Sequence, residues 1–149
     1  MLQDTLRIRD VDNIACSENL IEVFRGSGEI ERYLHRLRQI TFHNFPCGKI
    51  GGNHWHKIKY EIMFLLEGSL DVYLFDSHKG EKYNVTVEQG QKFDLVPWVA
   101  HALYNPNCPP VKVLEFSNLD FNPENSEKDV YRIEKCLVSR VVKTLLLCC

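Results

Sequence analysis

Gly48-Lys49-Ile50-Gly51-Gly52-Asn53-His54-Trp55-His56-Lys57-Ile58-Lys59-Tyr60-Glu61-Ile62-Met63-Phe64-Leu65-Leu66-Glu67-Gly68 is the stretch on which the fold turns. Residues i and i+2 of an extended chain share a face, so His54 and His56 can turn both imidazoles toward one interior. Glu61 opens the apolar run Glu61–Leu66, the pattern of a strand covered on both faces, with Met63 and Leu65 as its same-face neighbours. A carboxylate is costly to bury there unless it is paired or bound to a cation. His101, 40 residues beyond Glu61, opens another short strand after Pro97. Three neutral imidazoles and one carboxylate suit one divalent transition metal (Zn, Mn, Fe, Ni or Co), with room left for water or substrate. The same residues also read, without metal, as hydrogen-bonded barrel histidines and a rim carboxylate.

Outward from this stretch, turn residues punctuate short β-type runs. Ser69–Phe75 alternates through Leu70, Val72 and Leu74, and a Gly-containing hairpin over Asp76–Lys82 follows. Tyr83–Val87, Lys92–Val96, His101–Asn105 and Val111–Ser117 come next, separated by Glu88-Gln89-Gly90, Pro97 and Pro106–Pro110. Upstream lie Leu20–Arg25 and Glu29–Phe45, the latter too long for a straight strand. Many short strands at such spacing predict an all-β sandwich or small barrel. From Val130 the pattern changes: Leu137, Val141, Leu145 and Cys148 form one helical stripe, which predicts a short C-terminal helical segment over about residues 130–149.

The chain has 149 residues, enough for a single domain over 1–149. A 44% apolar and 26% charged composition excludes a disordered or coiled-coil chain. The net charge of −2 offers no field for nucleic acid, and no run reaches the roughly 18 apolar residues of a membrane span. Six cysteines without a CxxC, after a charged 1–12 segment, predict free, mostly buried thiols in a reducing cytoplasm. Exposed sheet edges and the C-terminal stripe predict a homodimer. His43 is a candidate general base near the barrel mouth, and Trp98 and Tyr104 can stack on a sugar or base. No Ser–His–Asp spacing or Gly-rich phosphate loop is present.

Gly48-x5-His54-x-His56-x4-Glu61-x6-Gly68 reproduces the first cupin motif, and Gly90, His101 and Asn105 keep the spacing of the second. Pro97 lies one place late, and the glycine expected before the histidine is absent, a departure that reads as local turn variation. The resemblance to cupins covers about residues 40–118. It implies a double-stranded β-helix (jelly roll) with His54, His56, Glu61 and His101 as metal ligands. Asn53-His54-Trp55-His56-Lys57, Val113-Leu114-Glu115-Phe116-Ser117 and Asp129-Val130-Tyr131-Arg132 resemble the WxcM-like cupins, sugar-nucleotide ketoisomerases and epimerase-like proteins that are usually dimers. That resemblance implies isomerisation or epimerisation of a keto sugar, nucleotide-linked, in polysaccharide or sugar-nucleotide metabolism. Read from the residues, His43 is the candidate base, and the metal or His54 and His56 would stabilise the enediolate, the two histidines serving as acid–base residues if no metal binds. Two departures stand out. The family's arginine is Gly51 here, with Lys49 or Lys57 as substitutes for its charge, and Glu61 replaces the glutamine of metal-free ketoisomerases. An Fe-dependent dioxygenase and a non-enzymatic sugar or metabolite binder are the competing classes.

Overall fold

The computed structural model describes residues 8–10, 37–120 and 129–138. Among these, ten strands form two five-stranded antiparallel sheets facing each other. The strands are β1 (Ile8–Asp10), β2 (Gln39–Phe45), β3 (Ile50–Trp55), β4 (Glu61–Glu67), β5 (Ser69–Asp76), β6 (Glu81–Glu88), β7 (Gln91–Leu95), β8 (Ala100–Tyr104), β9 (Val111–Ser117) and β10 (Tyr131–Arg132). One sheet runs β1-β7-β4-β9-β2 and the other β10-β3-β8-β5-β6. From β2 onward successive strands alternate between the sheets, except for the β5–β6 hairpin, which makes a jelly roll and bears out the all-β expectation.

The alternation of β5 is buried at Leu70, Val72 and Leu74, and β6 answers across the ladder, with Val85 opposite Val72 and Val87 opposite Leu70. With Met63, Leu65, Phe93 and Val113 they fill one half of the interior. Each such fully buried side chain stabilises the fold by about 1.5–3 kcal/mol. The same inward positions turn polar toward the other end: Glu61 precedes Met63 on β4, Glu115 follows Val113 on β9, and Thr41 and His43 take their turn on β2. The apolar half holds the sheets together and leaves the polar half free for chemistry.

Two expectations are corrected here. Residues from Val130 do not begin a helix: Tyr131 and Arg132 pair with Trp55 and His54 as an added edge strand. Asn53 holds this segment through its carbonyl, which accepts from Ile133 N–H (3.2 Å), and its side-chain oxygen, which accepts from Leu137 N–H (2.9 Å). The stripe from Val141 lies outside the described residues, as does Leu20–Arg25. Cys47 and Cys108 are not free thiols. They form a disulfide that ties the β2–β3 turn to the β8–β9 loop, 61 residues apart in sequence; Cys136 is free.

Candidate metal centre and active site

β3 carries a bulge. Between the Gly52–Ala102 and His54–His101 pairs one extra residue, Asn53, enters the strand with φ +58°, after Gly52 at φ +77°. A β-carbon on Gly52 would stand 3.0 Å from the His101 carbonyl oxygen, so glycine permits the close approach of β3 to β8. The result sets His54 directly across from His101, and His56 follows just past the strand end.

One ring nitrogen of His54, His56 and His101 lies within 4.8 Å of each of the others. His54 Nε2 and His56 Nε2 are 3.0 Å apart, His56 Nε2 is 3.5 Å from Glu61 Oε1, and His101 Nε2 is 3.7 Å from Glu61 Oε2. Metal–donor bonds of about 2.0–2.2 Å separate neighbouring donors by roughly 3.0–3.5 Å, so the cluster has the dimensions of a metal centre. Glu61 Oε2 is buried and has no hydrogen-bond partner among the described residues. A buried carboxylate oxygen without a protein partner marks a functional position, open to a water or an ion. The donor set therefore fits a divalent transition metal.

The electrostatics agree. Burial, then the charge of His56, lowers the His54 pKa to about 4. Burial likewise lowers His56, and burial with the two neighbouring imidazoles holds His101 well below its usual value. All three rings are neutral near pH 7, with lone pairs available. The Asp129 carbonyl accepts a hydrogen bond from His56 Nδ1, which leaves Nε2 as the ligand atom. Asp129 is itself held by the backbone N–H groups of Lys57, Ile58 and Lys59 on its carboxylate, at 2.5–2.7 Å.

Beside the histidines runs a chain of charged groups. His43 Nε2 lies 2.6 Å from Glu115 Oε2, Lys59 Nζ lies 2.6 Å from Glu115 Oε1, and the same ammonium lies 2.6 Å from Glu61 Oε1. Burial works against an ionised Glu115, but the His43 hydrogen bond and the Lys59 charge hold its pKa far below the usual carboxylate range. Glu61 moves the other way, raised by burial and by Glu115 to about 7. His43, His54, His56, Lys59, Glu61 and Glu115 all line one cavity of about 480 Å³, with His101 buried behind.

The four ligand candidates His54, His56, Glu61 and His101 and the candidate base His43 thus meet at one end of the barrel. Sequence reasoning missed Lys59, Glu115, Asp129 and Arg132. Two of them carried a readable signal: Lys59 shares a strand face with Glu61, and Glu115 interrupts the inward stripe of Val111 and Val113. Arg132 bears on the family's missing arginine. A β-carbon on Gly51 would strike the Phe45 ring, so no longer side chain fits there. The guanidinium in the cavity wall comes instead from β10, directly opposite His54. Lys49, Lys57 and Tyr104 line neither this cavity nor the neighbouring one beneath Trp98.

Solved structures share this architecture. QdtA, a sugar 3,4-ketoisomerase from Thermoanaerobacterium thermosaccharolyticum solved with TDP, superposes with a TM-score of 0.67 at 15% identity, over 93% of this chain and 95% of that one. A 3,4-ketoisomerase from Helicobacter canadensis gives 0.68 at 14% identity, over 86% and 90%. The chain has the cupin fold. The capsular polysaccharide assembling protein CapF from Staphylococcus aureus gives 0.60 at 21% identity over 65% of this chain, which spans 27% of CapF. No protein-family model and no curated protein sequence matches. At the turn before His101 the backbone is left-handed although no glycine stands there. Trp98, three residues before His101, takes φ +68°, and its N–H donates to the His56 carbonyl at 2.7 Å. A non-glycine residue in this conformation bears a strain of about 1–2 kcal/mol.

Proposed function

We propose that this chain is a metal-holding isomerase or epimerase of a keto sugar, the sugar being nucleotide-linked. The observation that carries the reading is the single cavity in which a carboxylate-bound histidine, His43, faces the His54–His56–His101 cluster. With Nε2–H donated to Glu115, His43 Nδ1 has a free lone pair to take the proton beside the substrate carbonyl. The resulting enediolate receives that proton back at the neighbouring carbon while the hydroxyl proton passes to the former carbonyl oxygen, which moves the carbonyl. Inversion of the centre would instead take its proton from water on the opposite face, His43 losing its own to solvent. His54, His56, His101 and Glu61 Oε2 would hold the ion. When bound, a divalent metal supplies Lewis-acid stabilisation of the developing oxyanion. Lys59 keeps Glu61 and Glu115 apart in charge and in place. The TDP complex of QdtA, and that of a QdtA point variant with TDP-4-keto-6-deoxyglucose, support the substrate class.

Anaerobic incubation with TDP- and UDP-linked 4-keto sugars in D2O tests the proposal. Deuterium should enter the sugar, and the exchange should vanish in His43→Gln and in His54→Ala. Oxygen uptake with Fe(II) in the absence of exchange would sink it in favour of a dioxygenase, and ligand binding without turnover in favour of a metabolite binder.

Polysaccharide or sugar-nucleotide metabolism would place the chain in the cytoplasm, as a homodimer. No helix among the described residues is long and apolar enough to cross a membrane. In a reducing cytoplasm Cys47 and Cys108 would stand as two thiols, whereas an oxidised pair in the cell would overturn the cytoplasmic placement. Trapping the thiols at the moment of lysis shows which state exists in the cell.

A further inference from the structure

A second cavity, of about 410 Å³, lies beside the first and is walled by Trp55, Phe75, Trp98, Arg132 and Lys135 among others. Among the described residues Arg132 alone lines both cavities. The aromatic wall is ordered: Tyr131 stacks on Trp55 at 4.2 Å and 17°, and Trp98 stacks on the same indole at 5.1 Å and 27°. Trp98 is still 45% exposed, and Lys57 Nζ stands 5.9 Å from its ring centroid.

Trp98 is the informative residue. Glycine would hold the same turn without strain, and a half-exposed indole returns little burial for the strained backbone. Strain of this kind persists at ligand clamps, where the side chain does something the fold does not need. An exposed indole face beside cationic side chains suits a flat aromatic ring carrying a negative group. Trp98 stands where the glycine of the second cupin motif is expected, and Arg132 brings a guanidinium to the cavity wall that Gly51 cannot provide.

We propose that the Trp98–Trp55 wall binds the base of a nucleoside diphosphate whose phosphates lie at Arg132, with the attached sugar reaching the histidine cavity. This deepens, and rests on, the nucleotide-sugar reading above. TDP and inorganic pyrophosphate, titrated by calorimetry and tryptophan fluorescence, test it. TDP should bind the wild type and quench its fluorescence. Trp98→Gly and Trp98→Asn both tolerate the left-handed backbone, and each should weaken TDP binding roughly 10-fold or more. Both should leave pyrophosphate and zinc affinity unchanged and keep or raise the melting temperature. Arg132→Gln should weaken TDP and pyrophosphate together. If Trp98→Gly binds TDP as tightly as the wild type, the base lies elsewhere, and the inference fails while the function stands. If the wild type binds neither TDP nor UDP, the nucleotide reading fails as well. If Trp98→Gly changes the oligomeric mass, a second copy covers the wall and the inference is overturned.

Discussion

A histidine buried against two others cannot readily hold a proton, and this sets how the centre responds to pH. In the unfolded chain the imidazoles protonate near 6.5; in the folded chain His54 does so only near 4, and His56 and His101 are lowered too. Between those values the unfolded chain binds more protons, so the histidine contribution is complete above 6.5 and lost as pH falls toward about 4. Glu61 opposes it. Its folded pKa is raised from 4.5 to about 7, so its contribution is complete below 4.5 and lost as pH rises through 7. Three imidazoles outweigh one carboxylate. The melting temperature of metal-free protein should climb from about pH 4 to about 6.5, and Glu61→Gln should steepen the climb. A flat or falling profile in calorimetry contradicts this assignment of protonation states.

Among the elements, the shortest has the largest consequence. β10 has two residues, yet it brings Arg132 opposite His54, and the Asp129 turn before it orients His56. Three backbone N–H groups on one carboxylate make Asp129 the peg of this segment. Asp129→Ala should release the peg, let His56 rotate, and weaken zinc binding about 10–100-fold, the usual loss when a ligand's supporting partner is removed. Competition with a chromogenic chelator measures it. Unchanged affinity would mean that the barrel alone holds the His56 ring.

For the whole molecule the open question is what lies against the edge of the first sheet. β2 ends that sheet and exposes Ile40 (58%) and Phe42 (55%), large apolar side chains on an edge strand. Such an edge is a pairing hazard unless covered. We expect a homodimer closed across β2. Light scattering should give twice 17.4 kDa for the wild type and a shift toward 17.4 kDa for Ile40→Glu/Phe42→Glu. A wild type of 17.4 kDa at tens of micromolar removes the dimer.

Local pattern was enough for the strands and for the cluster. Ser69–Phe75 and Val111–Ser117 are legible because a half-buried strand must alternate, and His54, His56 and Glu61 because the period of two turns close spacing into a shared face. His101 was legible as the histidine that opens a strand after Pro97 and through its spacing within the second motif. The expected helix does not form over 130–138, because an apolar stripe reports what can be buried, not which backbone partner is at hand, and there the bulged Asn53 offers one. The pairing of His43 with Glu115 spans 72 residues, and that of Asp129 with His56 spans 73. Neither leaves a trace in local periodicity, because only the closed barrel brings these residues within hydrogen-bond reach. The disulfide, the left-handed Trp98 and the arrival of Arg132 belong to the same class. Side-chain chemistry and spacing determine which groups face inward; the closing of two sheets over each other decides which of them touch, and so which carboxylate orients a base and which is left for an ion.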